Sequence, residues 1–204
     1  MRNLLKIAIM ATSLLGIFGS ANAQTLFSLK IGPTWPQGLL STGTASWDAG
    51  LDYGIIVDKK VGFGFAADFL WNVRSHDSLT SQGTYQPKTE EQSFMFPIMG
   101  FFFIDPVPKL IVHPLARFEI GYNSMIRNVK TDSTDTKSLT VSPYFYGLII
   151  KVGADALYNI GENSAVFLGL EYQWADTRTN DTDKGFNRFD MSGVGIKAGF
   201  RIIM

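Results

Sequence analysis

Cysteine is absent from the 204-residue chain, which excludes a disulfide framework, a thiolate-ligated metal and thiol catalysis. Charged residues are few, at 18%, and evenly divided between the signs, so the basic surface that a nucleic-acid partner requires is missing. Histidine occurs only at positions 76 and 113. Long apolar runs are lacking too: beyond the first two dozen residues the longest, near residues 98–104, falls far short of the roughly 20 needed for a spanning helix. Any passage through a membrane must therefore be made by strands closed into a barrel. No linker, helical repeat or low-complexity segment divides the chain, and one domain is expected.

The first residues read as a secretory signal. Arg2 and Lys6 supply a positive start, residues 7–18 an apolar stretch too short to span, and Ala21-Asn22-Ala23 a small-x-small cleavage site. Residues 1–23 are expected to be removed, leaving 24–204 as a single barrel domain with 16 basic and 18 acidic side chains, because Arg2 and Lys6 fall before it.

What fills residues 24–204 is alternation. From Val194, the side chains of Val194, Ile196, Ala198, Phe200, Ile202 and Met204 share one face, while Gly195, Lys197, Gly199, Arg201 and Ile203 share the other. A period of two marks a strand lying between two environments, and an apolar free edge invites aggregation unless the sheet closes on itself. The same alternation predicts strands over about 25–35, 44–57, 61–74, 112–123, 142–157 and 164–176. Residues 92–104 are apolar on both faces, so their inward side is not assigned. Pro33, Pro97, Pro114 and Pro143 each remove a donor from the ladder.

Three regularities point to an all-β, eight-stranded antiparallel up-and-down transmembrane barrel. Long and short connections alternate, as outer loops and periplasmic turns do in such barrels. All four Trp (Trp35, Trp47, Trp71, Trp174), with Tyr122, Tyr144, Tyr146 and Tyr172, fall on the apolar face at the long-loop ends, where an interfacial girdle is expected. The opposite face carries Lys30, Arg74, Arg117, Lys151, Lys197 and Arg201 against Asp48, Asp52, Asp68, Glu119, Asp155 and Glu171. Equal numbers of opposite charges fit a narrow interior filled by an ion-pair network, with interleaved glycines making room.

The spacing Lys197-x-Gly199-x-x-Ile202-x-Met204 resembles the C-terminal assembly signal of bacterial outer-membrane β-barrels, departing from it by ending on Met204 in place of an aromatic residue. Over residues 24–204 the pattern resembles the small eight-stranded outer-membrane barrel family, in the porin-like superfamily. The resemblance implies a cell outer-membrane location, lipid and the barrel-assembly machinery as partners, a monomer, no cofactor, and surface loops open to an extracellular ligand.

Catalytic signals are weak. His76-Asp77-Ser78 contains the residue types of a hydrolytic triad, but three consecutive residues do not converge on one proton-transfer geometry. His113 stands beside Pro114 with no partner in view. Asp132 with Asp135 and Asp181 with Asp183 lack the Gly and terminal Glu of a calcium loop, and no metal is expected. The leading function is a non-enzymatic outer-membrane barrel with a structural or surface-interaction role. The alternatives are a narrow pore for ions or small solutes and a soluble periplasmic binder of lipocalin type.

Overall fold

The computed structural model describes residues 23–37, 45–57, 60–76, 89–131, 139–141, 143–179 and 188–204. Most of the expected leader, the Asp77-Ser78 part of the triad-like run, and both loop carboxylate pairs lie outside them. Ten strands follow in chain order: β1 (Ala23–Pro36), β2 (Ser46–Val57), β3 (Val61–His76), β4 (Thr89–Ile104), β5 (Val112–Thr131), β6 (Leu139–Val141), β7 (Tyr144–Gly161), β8 (Ser164–Arg178), β9 (Arg188–Asp190) and β10 (Gly193–Ile203). Two are short extensions of the wall, β6 pairing with β5 and β9 with β8. The other eight run antiparallel to their neighbours, and β10 pairs with both β8 and β1. The sheet closes into an eight-stranded barrel, with a seam held by reciprocal bonds of 2.8 Å between the backbones of Thr25 and Met204.

The period-two pattern sets the facing of the eight wall strands where their side chains are described. On β10 Gly193, Gly195, Lys197 and Arg201 are buried, while Val194 and Ile196 are exposed. β4 now takes a definite orientation: Ser93, Met95, Pro97, Met99, Phe101 and Phe103 point inward and Phe96, Ile98, Phe102 and Ile104 outward. Both of its faces are apolar because one meets the surroundings and the other packs inside the barrel. The ladder skips two pairs at each of two prolines. Pairing between β3 and β4 jumps from Ala67↔Ile98 to Leu70↔Met95 around Pro97, and pairing between β1 and β10 from Ile31↔Ala198 to Thr34↔Gly195 around Pro33.

Several strands outrun the expected boundaries. Polar residues expected in loops continue the ladder where β3 pairs with β4 up to His76↔Thr89 and β5 with β6 through Val129↔Val141. Ladder bonds belong to the backbone, so pairing can continue after the apolar alternation stops. At the opposite end, the expected turn over 158–163 shrinks to residues 162–163, since Gly161 already pairs with Ser164.

Candidate functional site

The barrel interior is the most heavily built region of the molecule. Lys30 from β1, Asp48 and Asp52 from β2, Asp68 from β3, Arg117 and Glu119 from β5, Lys151 from β7, Glu171 from β8 and Lys197 from β10 meet at its middle. Lys30 Nζ lies 3.3 Å from Asp52, 3.1 Å from Asp68 and 3.1 Å from Glu119. Arg117 forks onto Asp52 with two bonds of 2.7 Å and also contacts Glu119. Lys151 Nζ reaches Asp68 at 2.6 Å, Asp48 at 3.2 Å and Glu171 at 3.3 Å. Lys197 contacts Asp48 and stands 2.8 Å from Glu171. A side chain at Gly50 would sit 2.0 Å from the Asp68 carboxylate and 2.6 Å from the Lys30 stem, so the network occupies space that only glycine leaves open.

Apolar layers flank this belt. Toward the loop end of the strands lie Leu70, Met95, Met125, Phe145, Ile149, Ala175 and Met191, and toward the turn end Leu26, Ile56, Phe101, Phe103, Leu115, Leu157 and Phe167, all buried. Arginines bind the layers to the charges. Arg117 lies 4.9 Å above the Phe101 ring, and Arg201 4.8 Å above Phe103. At the loop end Arg127 lies 4.7 Å from the Phe189 ring and bonds Glu91 at 2.6 Å.

Two expected members of the network stand apart. Among the described residues, no carboxylate comes within 4.0 Å of Arg201, whose Nε donates to Ser28 Oγ at 3.3 Å, and no cation comes that close to Asp155. Arg201 is held by ring contacts instead. The side chain of Arg74 is outside the described set. His113, expected to lack a partner, has two: Asp105 lies 2.6 Å from Nδ1, and Asn159 3.4 Å from Nε2. Asp105 is across the 105–111 connection and Asn159 on the neighbouring strand, a meeting that chain spacing does not announce. With no nucleophile in this constellation, its evident effect is to pin that connection against the barrel floor. Burial raises the Asp105 carboxyl above its ordinary range, although His113 acts in the opposite direction.

Outside, Trp35, Trp47, Trp71, Tyr122, Tyr144, Tyr146, Tyr172 and Trp174 all face away from the lumen at the loop ends of their strands. Trp47 and Trp71 are cross-strand partners, Tyr122 and Tyr146 stack at 6.3 Å, and Tyr172 meets Trp174 edge-on at 4.6 Å. Of the residues expected to signal assembly, Lys197 points into the ion-pair belt, Gly199 packs against the Phe167 ring, Ile202 faces outward and Met204 is exposed at the seam.

No family model matches the chain, and no curated protein matches it. Solved structures do. A major outer membrane protein from Thermus thermophilus superposes with a TM-score of 0.52 at 14% identity, over 90% of this chain and 100% of that one. The outer membrane protein OprG from Pseudomonas aeruginosa gives 0.50 at 13% identity, over 91% and 98%. The fold is that of the small eight-stranded outer-membrane β-barrels.

Proposed function

We propose that this chain is an integral, non-enzymatic barrel of the bacterial outer membrane, sealed by its own side chains and presenting its long connections outside the cell. The observation that carries the reading is the inversion of the usual burial pattern. Large apolar side chains such as Leu51, Phe65, Ile98, Ile120, Leu148 and Leu170 are exposed around the wall, whereas Asp48, Asp52, Lys151 and Arg201 are buried inside. Water would penalise that outer band, and hydrocarbon does not. Cleavage after Ala23, the Trp and Tyr girdle at the interface and recognition of Lys197, Gly199, Ile202 and Met204 by the assembly machinery belong to the same reading. The role is envelope-structural or one of surface interaction, with any extracellular ligand met by the loops.

The pore alternative is disfavoured because the charges that would line a channel are paired across the lumen, with buried apolar side chains above and below them. The test of location is direct. After cell breakage the protein should sediment with the outer membrane, and protease added to intact cells should cut within residues 75–91 or 127–141 and spare 105–109. Recovery in the soluble periplasm would support the lipocalin-type binder, and cleavage confined to 105–109 would reverse the orientation.

A further inference from the structure

On the outer face of the wall, at the loop end, β5, β7, β8 and β9 border an open groove of about 730 Å³ with two chemically distinct zones. Tyr122, Tyr146, Tyr172 and Trp174 form its aromatic walls, Asp176, Arg178, Arg188 and Asp190 its polar rim, and Leu148 and Ile150 its lower end, on the apolar wall. The last strand is interrupted beside this groove, and Ser192 at the interruption lines it. Between β9 and β10 the chain turns inward at Met191 and Ser192, a step fixed by Ser192 Oγ accepting from Ala175 N at 3.0 Å, Met191 N donating to Ala175 O at 2.9 Å and Gln173 Nε2 donating to Met191 O at 2.6 Å. Gln37 donates to the Tyr172 hydroxyl at 3.1 Å and borders the groove from the other side. The recess is therefore held by bonds within the wall.

We infer that this groove binds the saccharide headgroup of an outer-leaflet glycolipid, with the lipid chain descending along Leu148 and Ile150. Three features select that occupant, which itself rests on the outer-membrane reading above. Two carboxylates and two guanidiniums make the rim neutral in sum, with Arg188 and Arg178 both paired to Asp176, and such a neutral paired rim, whose remaining N–H and carboxylate positions bond hydroxyls, suits a hydroxyl-rich headgroup better than a simple anion. Tyrosine and tryptophan faces offer flat apolar platforms for the C–H side of a sugar ring while their polar tips remain wet. The volume falls in the range of small-ligand sites, about 300–1,000 Å³. The order of the zones also matches an amphiphile lying against the wall, sugar toward the loops and chain toward the strand centres. A free sugar would leave the apolar end unused.

The experiment is native mass spectrometry of the protein released from phosphatidylcholine nanodiscs doped with a diglycosyl diacylglycerol, repeated with Tyr146→Ala, Trp174→Ala and Trp47→Ala. Trp47 belongs to the aromatic belt but not to this groove, so it controls for general anchoring. The expected result is one glycolipid retained in preference to phosphatidylcholine, a preference at least tenfold weaker in the Tyr146 and Trp174 variants and unchanged in the Trp47 variant. The free disaccharide, added alone, should not be retained. Equal retention of both lipids, an equal loss with Trp47→Ala, or retention of the free disaccharide would each overturn the assignment. Failure of the wild type to enter nanodiscs at all would instead contradict the outer-membrane reading, so the two claims fail separately.

Discussion

Lys151 is a residue on which the interior turns: it contacts Asp48, Asp68 and Glu171 within 3.3 Å, the same three carboxylates that Lys197 reaches within 3.7 Å. Counting only groups in direct contact, the belt holds five carboxylates, Asp48, Asp52, Asp68, Glu119 and Glu171, against four cations, Lys30, Arg117, Lys151 and Lys197. Losing an acid and losing a base are therefore unequal. Lys151→Met keeps the volume but strands carboxylates that are already in excess, and should lower unfolding stability by about 3–5 kcal/mol. Glu171→Gln, at the wetter side of the belt, leaves Lys151 and Lys197 still in contact with Asp48 and should cost clearly less. Urea titration of the two variants in detergent measures the order. Equal small losses would mean that water already screens the belt.

Asp105 gives a pH-dependent counterpart. A carboxyl raised on folding contributes stability below its unfolded pKa and loses it as pH rises through the folded value. Asp105→Asn should flatten the decline in melting temperature just above about pH 4, where an unperturbed Asp ionises. A slope identical to the wild type's would contradict the raised value.

For the strands, alternation is both the most legible signal and the easiest to test. Leu170 is outward on β8, opposite Ala154 and Ile196 on the adjoining strands, and 57% exposed. Leu170→Arg should cost roughly 2–4 kcal/mol if that face meets hydrocarbon, whereas Leu110→Arg, 54% exposed but in the 105–111 connection, should be silent. Equal tolerance would mean that the wall faces water. Facing could be read from the chain because a strand's period is local: Lys30, Asp48, Lys151 and Lys197 alternate with apolar neighbours and lie inside. β4 could not be read that way, since Phe101 and Phe102 look alike and only the closed barrel separates them. Strand ends were poorly legible for a related reason, because the backbone ladder continues through polar residues such as Thr131 and Thr140.

At the scale of the whole barrel, the interior depends on closure, and closure is where sequence reading ran out. Lys30 meets Glu119, 89 residues away, and Lys197 meets Asp48, 149 residues away. Such partners follow from how eight strands stagger around the axis, and no local pattern carries that information. The apolar groups above and below the charges carry no local signal either. Met95, Met125, Phe145 and Ile149 at one end and Phe103, Phe167 and Leu157 at the other pack above and below the charges, beside buried polar groups such as Ser93, Asn123 and Gln173. A column of charges alone would stay wet and could pass ions. In the reading proposed above, charges paired with one another and flanked by buried aromatics leave room for isolated waters on atoms such as Asp48 Oδ1 and Asn123 Nδ2, but not for a conducting column.

Planar-bilayer conductance of the purified wild-type barrel tests that claim most directly. Insertion is monitored in the same preparation by protease protection of residues 105–109, so that silence is not mistaken for failure to insert. A sealed lumen predicts no steady current at moderate voltage. Lys151→Met, which breaks the middle of the belt, should at most produce brief openings. A steady ohmic current through the inserted wild type, scaling with salt, would contradict the sealed interior and make the molecule a channel.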